Sequence, residues 1–123
     1  RPGDRDAAFC VRIGAIRMYR GTTPTLIFTL PFACEKIDTC SIAFAQREPR
    51  YGVQTQVVLE KALTDCVATE NDLSLTLSEE DTLKLDSSQD VEIQLRVRCG
   101  AVSMASEIFR TPVGRILKDG RLP

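Results

Sequence analysis

The chain of 123 residues contains no histidine and no tryptophan. Without histidine, Ser-His-Asp and Cys-His catalysis are excluded in their usual forms, and so are imidazole metal sites. Aromatic residues are few, two tyrosines and five phenylalanines, several of them at core positions. That leaves no stacking platform for single-stranded nucleic acid. Charge of one sign is also lacking: 16 basic and 17 acidic residues give a net charge of −1. No global field draws the chain to nucleic acid or to an anionic membrane. No apolar run approaches the roughly 18–20 residues needed to cross a bilayer. Val11–Ile16 is too short for a signal-peptide core and is broken by Arg12, so no export signal is expected. Neither G-x-G-x-x-G nor G-x-x-x-x-G-K-[ST] occurs.

What is present fits one soluble globular domain, with 43% apolar and 27% charged residues. Five cysteines stand at Cys10, Cys34, Cys40, Cys66 and Cys99. The count is odd, and no pair has C-x-x-C spacing. The Cys34 and Cys40 spacing is a poor match to a zinc knuckle. Cys66 and Cys99 fall on apolar faces of expected strands, where cysteine acts as a small hydrophobe. Structural free thiols made in a reducing cytosol are the expected state, ahead of a disulfide and then a metal site. No cofactor or metal is expected.

Residues 1–17 are Arg-rich and read differently from the rest. They are expected to be an N-terminal extension, either non-native or a loose extra strand across Phe9–Ile16, ahead of one domain over 18–123. From Thr25 the chain alternates with period two, which puts apolar side chains on one face of a sheet. Leu26, Phe28 and Leu30 form one such set, bracketed by Pro24 and Pro31, which predicts a strand that lies at a sheet edge or starts and stops there. Ile42 and Phe44 form the next. Val53, Thr55, Val57 and Leu59 alternate with Gln54 and Gln56 after a turn over 47–52. Short strands follow at 66–69 and 73–77. Ser78-Glu79-Glu80-Asp81 has the form of a capping box and predicts a short helix over about 78–86, with Leu83 and Leu85 plugging the core. Val91, Ile93, Leu95, Val97 and Cys99 then face inward while Glu92, Gln94, Arg96 and Arg98 face water. One wet face implies an antiparallel sheet. Val102–Phe109 is expected to return as a second candidate edge strand, and Val113–Leu117 to add a short strand. The fold class is therefore all-β: an antiparallel, immunoglobulin-like β-sandwich of about seven strands with one short helix.

Candidate chemistry is sparse. Glu79, Glu80 and Asp81 are paired carboxylates that the helix cap explains more simply than acid–base work. Arg96 and Arg98 share the wet face of one strand and are candidates for an anion or partner site near Gln54 and Gln56. The candidate partner surface comprises Arg96, Arg98, Gln94, Gln54 and Gln56, together with Thr25, Ile27 and Thr29 on the Pro-bracketed strand. Arg20-Gly21-Thr22-Thr23-Pro24-Thr25 stands out as a strand lead-in, because Gly21 permits an unusual backbone angle and Pro24 fixes one.

Three segments carry a resemblance: Met18–Thr25 running on to Phe28-Thr29-Leu30-Pro31-Phe32, then Val91-Glu92-Ile93-Gln94-Leu95-Arg96-Val97, then Pro112-Val113-Gly114-Arg115-Ile116-Leu117-Lys118-Asp119-Gly120. From Met18 to Gly120 the sequence resembles short proteins encoded by phages and prophages of Gram-positive gut bacteria, often among tail genes. The strand pattern is also similar, at fold level, to the N-terminal sandwich domain of siphophage upper-baseplate proteins. The resemblance brings no catalytic or binding residues with it. It implies a phage or prophage structural protein, tail- or baseplate-associated, found in the virion or in the host cytoplasm during assembly. The expected partners are other protein subunits, self or phage, including a closed homo-oligomer, and not nucleic acid or membrane. The alternative is a small phage-encoded inhibitor of a host defence or regulatory protein. An enzyme is not expected.

Overall fold

The computed structural model describes residues 11–14, 17–47 and 55–123. One sheet contains β1 (Arg12–Ile13), β3 (Thr25–Thr29), β7 (Asp72–Thr76) and β6 (Cys66–Thr69), in the order β1-β3-β7-β6. The other contains β10 (Phe109–Thr111), β8 (Val91–Cys99), β4 (Thr39–Arg47) and β5 (Thr55–Ala62), in the order β10-β8-β4-β5. A further strand, β9 (Val102–Ala105), also pairs with β8. All these pairings are antiparallel. In immunoglobulin lettering the two orders read A-B-E-D and G-F-C-C′. The sandwich is immunoglobulin-like, as the periodicity predicts.

The core is built by period-two alternation on both sheets. Leu26 and Phe28 of β3 and Leu73 and Leu75 of β7 are buried with Ile42 and Phe44 of β4 and Val91, Ile93, Leu95 and Val97 of β8. Each such side chain contributes roughly 1.5–3 kcal/mol of burial. The chain changes sheet three times after β3, each time through one helical turn: Cys34–Lys36, Leu63–Asp65 and α1 (Glu79–Leu83).

Helix α1 has the expected cap. Ser78 Oγ accepts from the Asp81 N–H at 3.0 Å, and Asp81 Oδ2 accepts from the Ser78 N–H at 3.0 Å. Lys61 Nζ of β5 lies 3.0 Å from the same Asp81 oxygen. The cap thus also ties the helix to the second sheet. Leu85, just past the helix, is buried, while Leu83 is half-buried.

Three strands depart from the sequence reading. In β5 the register shifts between Phe44↔Leu59 and Ala45↔Val57, so Val58 is an extra residue. This β-bulge reverses the facing of everything before it. Leu59 is 6% exposed, but Val57, expected in the core, is 58% exposed. The expected single strand Val102–Phe109 is two strands, β9 and β10. Between Ala105↔Arg96 and Phe109↔Ile93, residues 106–108 stand against only Gln94 and Leu95. Ser106 fills the gap: its N–H donates to Leu95 O at 2.8 Å and its Oγ accepts from Leu95 N–H at 3.0 Å. The Pro-bracketed β3 starts and stops between its prolines, one of the two expectations, but is not an edge strand. It lies between β1 and β7, and Gly14 N–H donates to Ile27 O at 3.1 Å. The reason lies upstream: β1, Arg12–Ile13, pairs with β3, with Val11 just before it buried and Ile13 opposite Phe28. Residues 1–10, 15–16 and 48–54 lie outside the described residues, and with them Cys10, Val53, Gln54 and most of the 47–52 turn.

The chain's first and last parts meet in a parallel pair, β2 (Met18–Tyr19) beside β11 (Val113–Gly114). The expected strand over 113–117 is confined to those two residues.

Candidate functional site

The outer face of the second sheet places Gln94, Arg96 and Arg98 of β8 in one row. Ala43, Ser41 and Thr39 of β4 stand opposite on one side, and Ala105 and Ser103 of β9 stand opposite Arg96 and Arg98 on the other. The neighbours are short, so the two guanidinium groups rise above them. Arg98 Nε leans toward β9 and donates to Ser103 Oγ at 3.4 Å. Arg96 is exposed and makes no ion pair among the described residues. Two nearby carboxylates are engaged elsewhere, while exposed Glu107, past Ala105 on the margin, makes no ion pair among the described residues. Glu92 pairs with Arg110, and Glu60 accepts from Ser41 Oγ at 2.8 Å from the far side of β4. Thr39, Ser41, Arg96, Arg98 and Ser103 border an open depression on this face.

Gln94 has a structural task. Its Nε2 donates to Ser106 O at 2.8 Å, which holds the β9–β10 bulge. Gln56 is not beside Arg96 as expected. It pairs with Gln46, whose side chain is buried on the inner face, because the Val58 bulge has turned β5 over. Gln54 lies outside the described residues.

Thr25, Ile27 and Thr29 face out from the first sheet, on the opposite side of the molecule from Arg96. Thr25 Oγ1 is 2.8 Å from Thr76 Oγ1, and Thr29 Oγ1 donates to Asp72 at 2.9 Å. Ile27 lies between them, partly exposed, opposite Ser74. The candidate surface read from the sequence is therefore two surfaces.

The margin formed by β9 and β10, a candidate edge in the sequence, adjoins the arginine row. Among the described residues β9 pairs only with β8. Val102 and Ile108 are 51% and 56% exposed at this margin. The signal available in the sequence was the short side chains at Ser103 and Ala105, which let the arginines reach past them.

The lead-in at Arg20 is a structural joint. Arg20 Nη1 donates to Leu83 O at 2.8 Å and to Leu85 O at 2.5 Å, which caps the end of α1. Its Nε and Nη2 donate to the two oxygens of Asp119 at 2.9 and 2.6 Å. This hydrogen-bonded pair raises the Arg20 pKa and lowers that of Asp119. Gly21 has φ of +71° and sits against Ile116 and Gly120. Buried Thr82 Oγ1 accepts from Thr22 N–H at 3.1 Å and donates to Thr22 O at 2.9 Å.

The described cysteines are free: Cys34 and Cys40 are buried, Cys66 and Cys99 half-buried. Burial pushes the Cys40 thiol up to about 12, with Cys66 and Cys34 nearby adding to the shift. Burial raises Cys34 and Cys66 as well. Among the described residues no group of three or more Cys, Asp or Glu side chains is placed to hold a metal ion. None of the described helices is long and apolar enough to cross a membrane.

Neither a protein-family model nor a curated protein matches the chain.

Proposed function

We propose that the chain is a phage- or prophage-encoded structural protein, tail- or baseplate-associated, that works by protein–protein assembly. The observation that carries this reading is the margin of the second sheet. There the backbone of β9 has one strand partner among the described residues, and Val102 and Ile108 are both more than half exposed. A sheet edge of this kind is a template on which another chain can add a strand. The resemblance of Met18–Thr25, Val91–Val97 and Pro112–Gly120 to phage and prophage proteins supplies the setting.

The test is mass spectrometry and electron microscopy of purified particles. The chain is expected at a copy number matching other structural proteins. Its consistent absence from particles, with a host defence or regulatory protein recovered stoichiometrically in pull-downs, would replace assembly with inhibition of that host protein.

A further inference from the structure

Antiparallel pairing decides which backbone groups of β9 face outward. The bond from Ser106 N–H to Leu95 O marks one bonded rung. Bonded rungs recur every second residue, so Met104 with Val97 and Val102 with Cys99 are the next two. The N–H and C=O groups of Ser103 and Ala105 therefore point away from β8, toward the margin. The hairpin at Gly100-Ala101, with Gly100 at φ +61°, is the two-residue connection that places a bonded rung at Cys99 and Val102.

A strand added at this margin would alternate its side chains like β9. Its inward residues would cover Val102 and half-buried Met104, so they should be apolar. Its outward residues would stand beyond Ser103 and Ala105, two strand spacings or about 10 Å from β8. Only short side chains intervene, and Arg98 already leans that way. A guanidinium on its long stem and a carboxylate on the incoming strand can meet across that gap. Arg96 and Arg98 have no carboxylate at ion-pair distance among the described residues.

The same charges disfavour a second copy of this chain. Pairing β9 with β9 of another copy would put both arginine pairs on one face, three strand spacings or about 14 Å apart, where they repel at low salt instead of finding carboxylates opposite them.

We infer that the β9 margin takes an extended acidic segment of a different protein as an added strand, its alternate carboxylates paired with Arg96 and Arg98. This rests on the assembly reading above and names the partner's chemistry.

The test uses the full chain and two synthetic peptides, acetyl-Gly-Val-Glu-Val-Glu-Val-Gly-amide and its Gln-for-Glu counterpart, followed by backbone amide NMR at low salt. The Glu peptide is expected to shift the Ser103 and Ala105 resonances and to bind about tenfold more tightly than the Gln peptide. The Arg96→Glu/Arg98→Glu variant, altered only at exposed positions, should fold and lose that preference. Ala105→Pro, which removes an outward N–H from an edge strand, should abolish binding. Equal binding of the two peptides, no shift at β9, or a wild-type dimer that Ala105→Pro dissociates would each overturn the inference. These results are independent of particle composition: a failed peptide in a chain found in particles ends strand addition alone, and absence from particles ends the assembly reading alone.

Discussion

Arg20 and Asp119, 99 residues apart in sequence, are joined by two parallel N–H···O bonds, while the same guanidinium caps the end of α1. The segments Met18–Thr25 and Pro112–Gly120 thus meet in space. Met18 and Tyr19 pair with Val113 and Gly114, and Arg20 N–H donates to Gly114 O at 3.0 Å. The two partners are unequal. Arg20→Ala leaves the Leu83 and Leu85 carbonyls without a donor and is expected to cost about 2 kcal/mol. Asp119→Asn removes only an exposed, solvent-screened partner and should leave the urea midpoint almost unchanged. Urea denaturation of the two variants checks this order.

Gly21→Ala should destabilise the same joint. The position requires a positive φ, and a Cβ there would lie 3.0 Å from Ile116 Cδ1 and 3.2 Å from Gly120 O. The expected loss is about 2 kcal/mol in a urea titration, from left-handed backbone strain and crowding together. Gly100→Ala is the control. Its φ is also positive but nothing lies within 4 Å of the added carbon, so it should cost less.

Acid should weaken the helix cap. Burial pushes the Asp81 carboxyl up. The bond from Ser78 N–H, followed by the hydrogen bond and charge of Lys61, outweighs that and holds it below the ordinary 3.8. A carboxyl lowered on folding contributes stability that is complete above its unfolded value and is lost as pH falls through the folded one. Unfolding free energy should therefore drop as pH falls below about 4. Asp81→Asn should be less stable at neutral pH and show a shallower acid limb. Urea titrations at successive pH values measure both.

The Val58 bulge makes a prediction that plain alternation would not. Val57 and Leu59 have the same parity, yet only Leu59 faces the core. Leu59→Ala is expected to cost about 2–4 kcal/mol, and Val57→Ala under about 0.5 kcal/mol. Equal losses in thermal or urea unfolding would place the bulge elsewhere.

Thiol chemistry should separate the cysteines. Cys40, buried and raised to about 12, should resist alkylation in the native protein. Half-buried Cys99 should label before Cys40 or Cys34. Timed iodoacetamide labelling, followed by peptide mass spectrometry, gives the order.

Period-two patterning was enough for β3, β4, β7 and β8, because each has one face in the core and one in water. The capping box at Ser78 was legible because it is local: donor and acceptor lie three residues apart. The bulges were not legible, since an extra residue such as Val58 or one within 106–108 appears only when the partner strand is aligned beside it. That β3 lies inside its sheet is not legible for a related reason. Pro24 and Pro31 limit its ends, but its neighbours are set by Val11–Gly14, whose weak alternation gave little signal. The wet arginines were visible in the alternation of β8. Val102–Phe109 was legible as a candidate edge; that its short side chains leave the arginines open toward that edge was not, because only the register of β9 against β8 shows it.

Amide hydrogen exchange along β9 in the isolated protein tests the open margin most directly. Val102 and Met104, bonded to β8, should exchange slowly, while Ser103 and Ala105 should exchange at rates near those of a free chain. Uniform protection of all four amides would mean that the margin is already covered, and would contradict the account.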